Sequence, residues 1–152
     1  MVWNVYLSGE IHTNWRSVVT ELASQKQLPV EFFAPVTNHE LSDDCGAIVL
    51  GKEESKFWHD HKGAKLNAIR NKTGIEKADI VVVRFGEKYK QWSAAFDAGY
   101  AAALSKPIIV MRLNEHQHAL KEIDAAALAT VQTPEQIVQI LQYVINGTTY
   151  PE

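Results

Sequence analysis

Residues 79–85 read Asp-Ile-Val-Val-Val-Arg-Phe, and residues 107–113 read Pro-Ile-Ile-Val-Met-Arg-Leu. Successive side chains of a strand point to opposite faces, so a strand with one wet face alternates apolar and polar residues. These two runs do not alternate, which predicts strands covered on both faces and central in a sheet. Parallel neighbours need a crossover of a dozen or more residues. The alanine-rich stretch Ser93 to Leu104 supplies one as a helix.

Outward from this pair the alternation continues. Glu53 to Lys77 is mostly helical, carrying Phe57, Trp58, Ala64, Leu66 and Ile69, with Gly63 and Gly74 as points where it could split. Before it, a polar stretch up to about Gly51 reads as a long loop. Val30 to Phe33 is a strand closed by Ala34-Pro35, because proline removes a ladder donor and restricts its predecessor. Val2 to Ser8 is a strand ending in Ser8-Gly9, and Asn14 can cap a helix whose apolar positions are Trp15, Val18, Val19 and Leu22. Toward the other end, Ala126 to Val131 is a weaker strand. Thr133 then caps a helix with Pro134 at its first position and Asn146-Gly147 at its end.

Strands alternating with helices predict a three-layer, doubly wound α/β domain spanning residues 1–152, with a mostly parallel five-stranded sheet of flavodoxin-like order 2-1-3-4-5. Ligands of such sheets bind beyond the carboxyl ends of the strands, at the switch point between strands 1 and 3. Function is therefore sought in Gly9 to Arg16, Arg84 to Asp97, and Arg112 to His118.

Composition narrows the ligand. At 152 residues, 46% apolar and 22% charged, the chain is expected to bury roughly 70% of its unfolded surface as one domain. A formal net charge of −3 gives no basic field for a nucleic-acid polymer. The lone Cys45 excludes an internal disulfide and a cysteine-based zinc cage, which fits a reducing compartment. No apolar run approaches the roughly 18 residues of a membrane helix, and the opening residues lack a secretion-signal pattern. The expectation is a cytoplasmic protein with a small-molecule ligand and no membrane partner. Neither GxGxxG nor GxxxxGK[ST] occurs, and no cofactor is expected.

The turn LSGEIHTNWR places Ser8, Gly9, Glu10, His12 and Arg16 after the first strand, where free helix N–H groups favour an anion and a carboxylate such as Glu10 can accept from sugar hydroxyls. The alternative is a solvated turn. His59-Asp60-His61 and His116-Gln117-His118 suggest metal ligands, but on a helix side chains two residues apart diverge by about 200°, so His59 and His61 cannot share an ion. No metal is expected. Asp60 and His61 fit the edge of a substrate pocket, or else a solvated face. Arg84 to Trp92 joins basic, amide and aromatic groups, among them Arg84, Gln91 and Trp92; Trp92 or Tyr89 can stack on a nucleobase or simply pack. In a helix starting near Ser93, Asp97 lies one turn in, leaning back toward the strand ends. It either faces the pocket or complements the helix dipole.

The opening VYLSG, the run ADIVVV and AAFDAGYAAALSKPIIV together resemble the nucleoside 2-deoxyribosyltransferases and their deoxynucleotide N-glycosidase relatives. FWHDHKGAKLNAIR, EKADIVVVRFG and KYKQWSAAFDAGYAAAL resemble the YtoQ branch more closely, and the likeness covers nearly the whole chain. In that superfamily a carboxylate attacks the anomeric carbon of a deoxyribose, the base leaves, and a second base or water takes the sugar.

The resemblance puts Asp97 at the nucleophile's position. With Asp97 there, the expected roles are Glu10 as sugar-hydroxyl acceptor or acid/base, Tyr6 and Trp92 as pocket walls, and Arg16, Ser93 and Arg84 as contacts to phosphate or hydroxyl. The chain departs from the pattern in three places. Asp97 is one methylene shorter than the usual glutamate, so the sugar has to sit about 1.5 Å closer. Asn71 replaces a supporting carboxylate, and Ser93 and Ala94 replace glycines. The expected function is an N-glycosidic-bond enzyme, transferring or hydrolysing, that acts on a nucleoside, nucleotide or related sugar conjugate. The alternative, motivated by Asn71 and the shortened acid, is a non-catalytic nucleotide-sensing module. A phosphoacceptor receiver shares the fold but needs an acidic pair that is missing after the first strand. The alanine-rich helix and the assembling relatives imply a homodimer or larger oligomer.

Overall fold

The computed structural model describes residues 1–149. In chain order the elements are β1 (Trp3–Gly9), α1 (Trp15–Gln25), β2 (Val30–Phe33), α2 (His39–Leu50), α3 (Lys56–Lys77), β3 (Ile80–Arg84), α4 (Trp92–Ala103), β4 (Ile108–Met111), α5 (Lys121–Ala126), β5 (Ala129–Val131) and α6 (Pro134–Asn146). The five strands form one parallel sheet in the order β2-β1-β3-β4-β5.

The apolar runs are buried on both faces, as their lack of alternation predicts. On one face Ile80 and Val82 of β3 join Val5, Leu7, Ile109 and Met111 under α1 and α6. On the other, Val81 and Val83 join Tyr6, Ile108 and Val110 under α3 and α4. Register places Leu7 opposite Val82 and Val82 opposite Ile109, so the central strands share their layers. The buried residues of α4 are Ala94, Asp97, Ala98 and Ala101, the i, i+3, i+4, i+7 stripe of a helix lying on a sheet. Asp97 therefore sits within the buried stripe, in the second turn, beyond the first turn where a carboxylate complements the dipole.

Several local expectations change. The predicted loop before Gly51 contains α2, started by Asn38, whose side chain accepts from the Leu41 N–H at 2.8 Å. Its polar composition hides the period, since Gly46 is its buried residue. α3 runs unbroken through Gly63 and Gly74 because both are points of close approach. A Cβ on Gly46 would lie 2.5 Å from the Gly63 nitrogen, and one on Gly74 would lie 2.5 Å from the Tyr6 ring. The predicted strand from Ala126 shortens to Ala129–Val131, since Lys121–Ala126 is helical and tied to the end of β4 by the Arg112–Asp124 ion pair at 2.7 Å. Asn14 precedes α1 without a side-chain cap. Thr133 does cap α6, in a reciprocal box with Gln136, and Gly147 ends that helix at φ +70°. No helix among the described residues is long and apolar enough to cross a membrane.

Candidate functional site

A cavity of about 690 Å³ opens beyond the carboxyl ends of β1 and β3, bounded by the loops that follow them, by α4 and by the α2–α3 pair. That volume lies within the range of small-molecule sites. Gly9 starts the first loop at φ +108° with its α-carbon against β3, and the Glu10 N–H donates to the Arg84 carbonyl at 3.0 Å. The loop is thereby pinned to the sheet where the strand ends.

Asp97 lines this cavity from the buried face of α4 and is 8% exposed. The Ser8 hydroxyl, fully buried on β1, donates to Asp97 Oδ2 at 2.6 Å. Burial pushes the Asp97 carboxyl above the ordinary aspartate range, and the Ser8 hydrogen bond pulls it partly back. The Tyr6 hydroxyl donates to Asn71 Oδ1 at 3.2 Å. Its phenol is pushed far up, first by burial and then by the charge of Asp97, so it stays neutral. Tyr6 and Ser8 stand behind Asn71 and Asp97, which themselves line the cavity. Tyr6 thus backs the wall it was expected to form.

Glu10 reaches the cavity edge, but both its oxygens are engaged. Oε1 accepts from the His12 and Thr13 N–H groups, and Oε2 accepts from the Thr13 hydroxyl at 2.6 Å and from Arg84. Burial raises its affinity for a proton. Hydrogen bonds from Thr13 and His12, with the Arg84 charge, outweigh that and hold the carboxyl below the usual glutamate range. Such a group is a fixed anion that organises the loop. Arg84, given to Glu10 and Thr13, lies off the cavity.

Arg16 also lies off the cavity, contrary to the expected phosphate contact. Its Nε donates to the Leu7 carbonyl at 3.0 Å, Nη1 to Glu10 O at 2.6 Å and Nη2 to Gly9 O at 3.1 Å. Burial pulls its pKa down to about 10 against the opposing pull of Glu10. The guanidinium thus ties together three carbonyls where β1 ends, and Glu10 O also accepts from Trp15 Nε1 at 2.8 Å. Arg16→Ala is expected to lower stability by about 2 to 4 kcal/mol, the scale of losing three hydrogen bonds from a charged, partly buried group. It should weaken nucleoside and nucleotide binding equally. Calorimetry showing a loss confined to the nucleotide would contradict this placement.

Gln91, Trp92 and Ser93 line the cavity at the start of α4, where Gln91 Oε1 accepts from the Gly86 N–H at 2.9 Å and closes the β3–α4 loop. Trp92 is 77% exposed, so it borders the opening of the cavity and is not the buried wall expected. Asp60 lines the far side, paired with Lys56 at 2.7 Å. His61 turns away and stacks on Phe57 with centroids 5.7 Å apart. His59 pairs with Asp44 at 3.0 Å, and among the described residues no group of His, Cys, Asp or Glu is arranged to hold a metal ion. The segment from Arg112 to His118 does not reach the cavity, because β4 lies beyond β3 from the switch point.

The cavity wall built by α2 has no counterpart among the residues expected from the sequence. His39 stands 6.1 Å from His12, whose ring lies 4.8 Å from Tyr89, giving a cluster of three rings at the mouth. Asn67 of α3 also lines the cavity, its amide donating to the Ser42 carbonyl at 2.9 Å. The signal that could have found this wall is the Asn38 cap followed by Glu40.

The sequence pattern of the family described as nucleoside 2-deoxyribosyltransferase YtoQ matches residues 6–145. The chain is 41% identical over 146 residues to the protein YtoQ of Bacillus subtilis, an alignment covering 96% of this chain and 99% of that one. Among solved structures, a conserved protein of Enterococcus faecalis superposes with a TM-score of 0.66 at 13% identity, covering 95% of this chain and 99% of that chain. A 2-deoxyribosyltransferase of Bacillus psychrosaccharolyticus superposes with a TM-score of 0.51 at 18% identity, covering 88% and 89% respectively. At those identities the superpositions show a shared fold.

Proposed function

The chain belongs to the family of nucleoside 2-deoxyribosyltransferase YtoQ, and on that premise we propose that it breaks the N-glycosidic bond of a nucleoside or nucleotide with Asp97 as nucleophile. The observation that carries this reading is the placement of Asp97. It is a carboxylate in a helix stripe otherwise made of alanine, lining the cavity at the strand ends with no cation among the described residues paired to it. An acid that merely served solubility would be on the wet face of α4.

In the first step an Asp97 oxygen forms a bond to the anomeric carbon as the bond to the base nitrogen breaks. The electron pair leaves with the base, which takes a proton from water. In the second step a base nitrogen or a water attacks the same carbon, gives its proton to the hydroxide left by the first step, and returns the carboxylate. Asp97 must be ionised to attack, so activity should rise with pH through a value above the ordinary aspartate range. Gln91, Ser93 and Asn71 line the cavity and carry groups suited to sugar hydroxyls, while Tyr89 and Trp92 line it with rings suited to a base. Glu10, Arg16 and Arg84 act by holding the loop.

Assaying purified protein for base release across deoxynucleosides and deoxynucleotides, with and without an acceptor base, tests the reading and separates transfer from hydrolysis. Tight binding without turnover would favour a sensing module, which Asn71, bonded to Tyr6 where a carboxylate would be ionised, also suits.

The protein is further proposed to act as at least a dimer. Ile48, Val49 and Leu50 at the end of α2 and Phe57 and Trp58 at the start of α3 are all exposed, more large apolar surface than two adjoining helices of a monomer usually leave wet. Light scattering at micromolar concentration should give a mass of twice 17.0 kDa or more; a value of 17.0 kDa would refute assembly.

A further inference from the structure

We propose that Ser8 is the positioning residue for Asp97, holding one carboxylate oxygen from behind so that the other is presented to the cavity. The inference rests on the reading of Asp97 as nucleophile and adds to it the device that sets the carboxylate's orientation.

The alternation of β1 puts Tyr6 and Ser8 on the sheet face that α3 and α4 cover. Ser8 is fully buried and does not touch the cavity, so its hydroxyl proton has an internal destination, Asp97 Oδ2 at 2.6 Å. Oδ1 accepts no hydrogen bond from the described residues. The terminal torsion of an aspartate is broad, and a single short hydrogen bond to one oxygen selects one orientation from that range.

Ser93 and Asn71 share the cavity wall with Asp97, and several other polar and charged groups nearby are committed elsewhere. From β1, Tyr6 gives its hydroxyl to Asn71 of α3. On α4 itself, Tyr100 donates to Glu76, and its ring carries Lys72 of α3 at 5.8 Å. Glu10 and Arg84, past the strand ends, hold each other. Among the described residues, Ser8 is the one that donates a hydrogen bond to this carboxylate. A hydrogen bond given to the ionised form also opposes the penalty of burying it. Holding a short acid at a fixed angle matters more than holding a long one, because Asp97 has one fewer torsion with which to reach the sugar.

Ser8→Ala removes one oxygen from a buried strand and adds no volume. In this variant kcat for base release should fall tenfold to a hundredfold, the equivalent of a lost hydrogen bond to a charged group, with KM nearly unchanged. The acid limb of the pH–rate profile should move to higher pH, a shift that a purely structural role for Ser8 would not produce. Ser8→Cys keeps the volume with a weaker donor and should give both effects at smaller amplitude. It also serves if Ser8→Ala does not fold.

Carbon-13 NMR titration of the Asp97 carboxyl in substrate-free protein separates this inference from the reading beneath it. If Ser8→Ala raises the Asp97 titration midpoint while the wild type releases no base from any substrate, the hydrogen bond is real but the nucleophile is not. An unchanged midpoint, or a variant with the wild-type kcat and acid limb, overturns the role of Ser8 whatever the enzyme does.

Discussion

Asp97→Asn should lower base release on the order of a thousandfold or more, a loss of about 4 kcal/mol of transition-state stabilisation. Asparagine keeps the shape of the side chain and an oxygen able to accept from Ser8, but it cannot supply an anionic nucleophile. Ground-state binding should survive. The same variant has a second expected effect, of opposite sign. Burial raises the Asp97 pKa in the folded state, so the ionised carboxylate is an unfavourable occupant of its site at neutral pH. A group with a raised folded pKa contributes stability at pH values below its unfolded pKa and loses it as pH rises through the folded value. Asp97→Asn should therefore raise the melting temperature at pH 7, and the gain should close as pH falls into the range where Asp97 is protonated. Lower activity with higher stability is the signature of a residue kept for chemistry. Asp97→Glu lengthens the reach: retained activity would mean the cavity tolerates the extra methylene, and loss would mean it is shaped around aspartate.

Gly9→Ala should destabilise the fold by roughly 3 to 5 kcal/mol, from a strained backbone and from steric overlap acting together. Gly9 has φ +108°, where a side chain is rarely accommodated, and a Cβ there would lie 2.1 Å from the Arg84 carbonyl oxygen. That oxygen accepts from the Glu10 N–H, so the methyl group would drive β1 and β3 apart at the mouth of the cavity. Urea unfolding should show a much lower midpoint with an unchanged slope. A change within 0.5 kcal/mol, about the scatter of surface substitutions, would show that the loop relaxes freely and that its geometry is not fixed by Gly9.

The parts of the fold legible in the sequence are those whose side chains record their surroundings. Ile80 to Val83 are apolar at every position because both sheet faces are covered, and from that follow the central strand, the crossovers and the switch point. Thr133-Pro134 and Gly147 mark α6 because capping chemistry is local. α2 was hidden because it packs on α3 through a glycine, which leaves almost no apolar stripe. Gly63 and Gly74 carry no local sign that distinguishes a weak point from a contact; the partners, Gly46 and the Tyr6 ring, lie far along the chain.

The site divides in the same way. Asp97 could be placed at the strand ends because its helix stripe has a period, and the short LSGE turn could be placed because it follows a strand. What each side chain does there could not be read, since it depends on long-range partners. Glu10 and Arg16 have the chemistry of ligand contacts, yet Arg84 and the carbonyls of Leu7, Gly9 and Glu10 claim them first. His39 and Asn67 enter the cavity only through the fold of α2 against α3.

The central claim is that Asp97 forms a bond to the sugar. Acid-quenched wild-type protein, taken during turnover of a deoxynucleoside that it cleaves, can be digested and its peptides weighed. A deoxyribosyl group attached within residues 92–106 and assigned to Asp97 by fragmentation, absent from Asp97→Asn, is the predicted result. Attachment at another carboxylate would contradict the account, as would steady base release with unmodified Asp97 under a quench shown to preserve such esters.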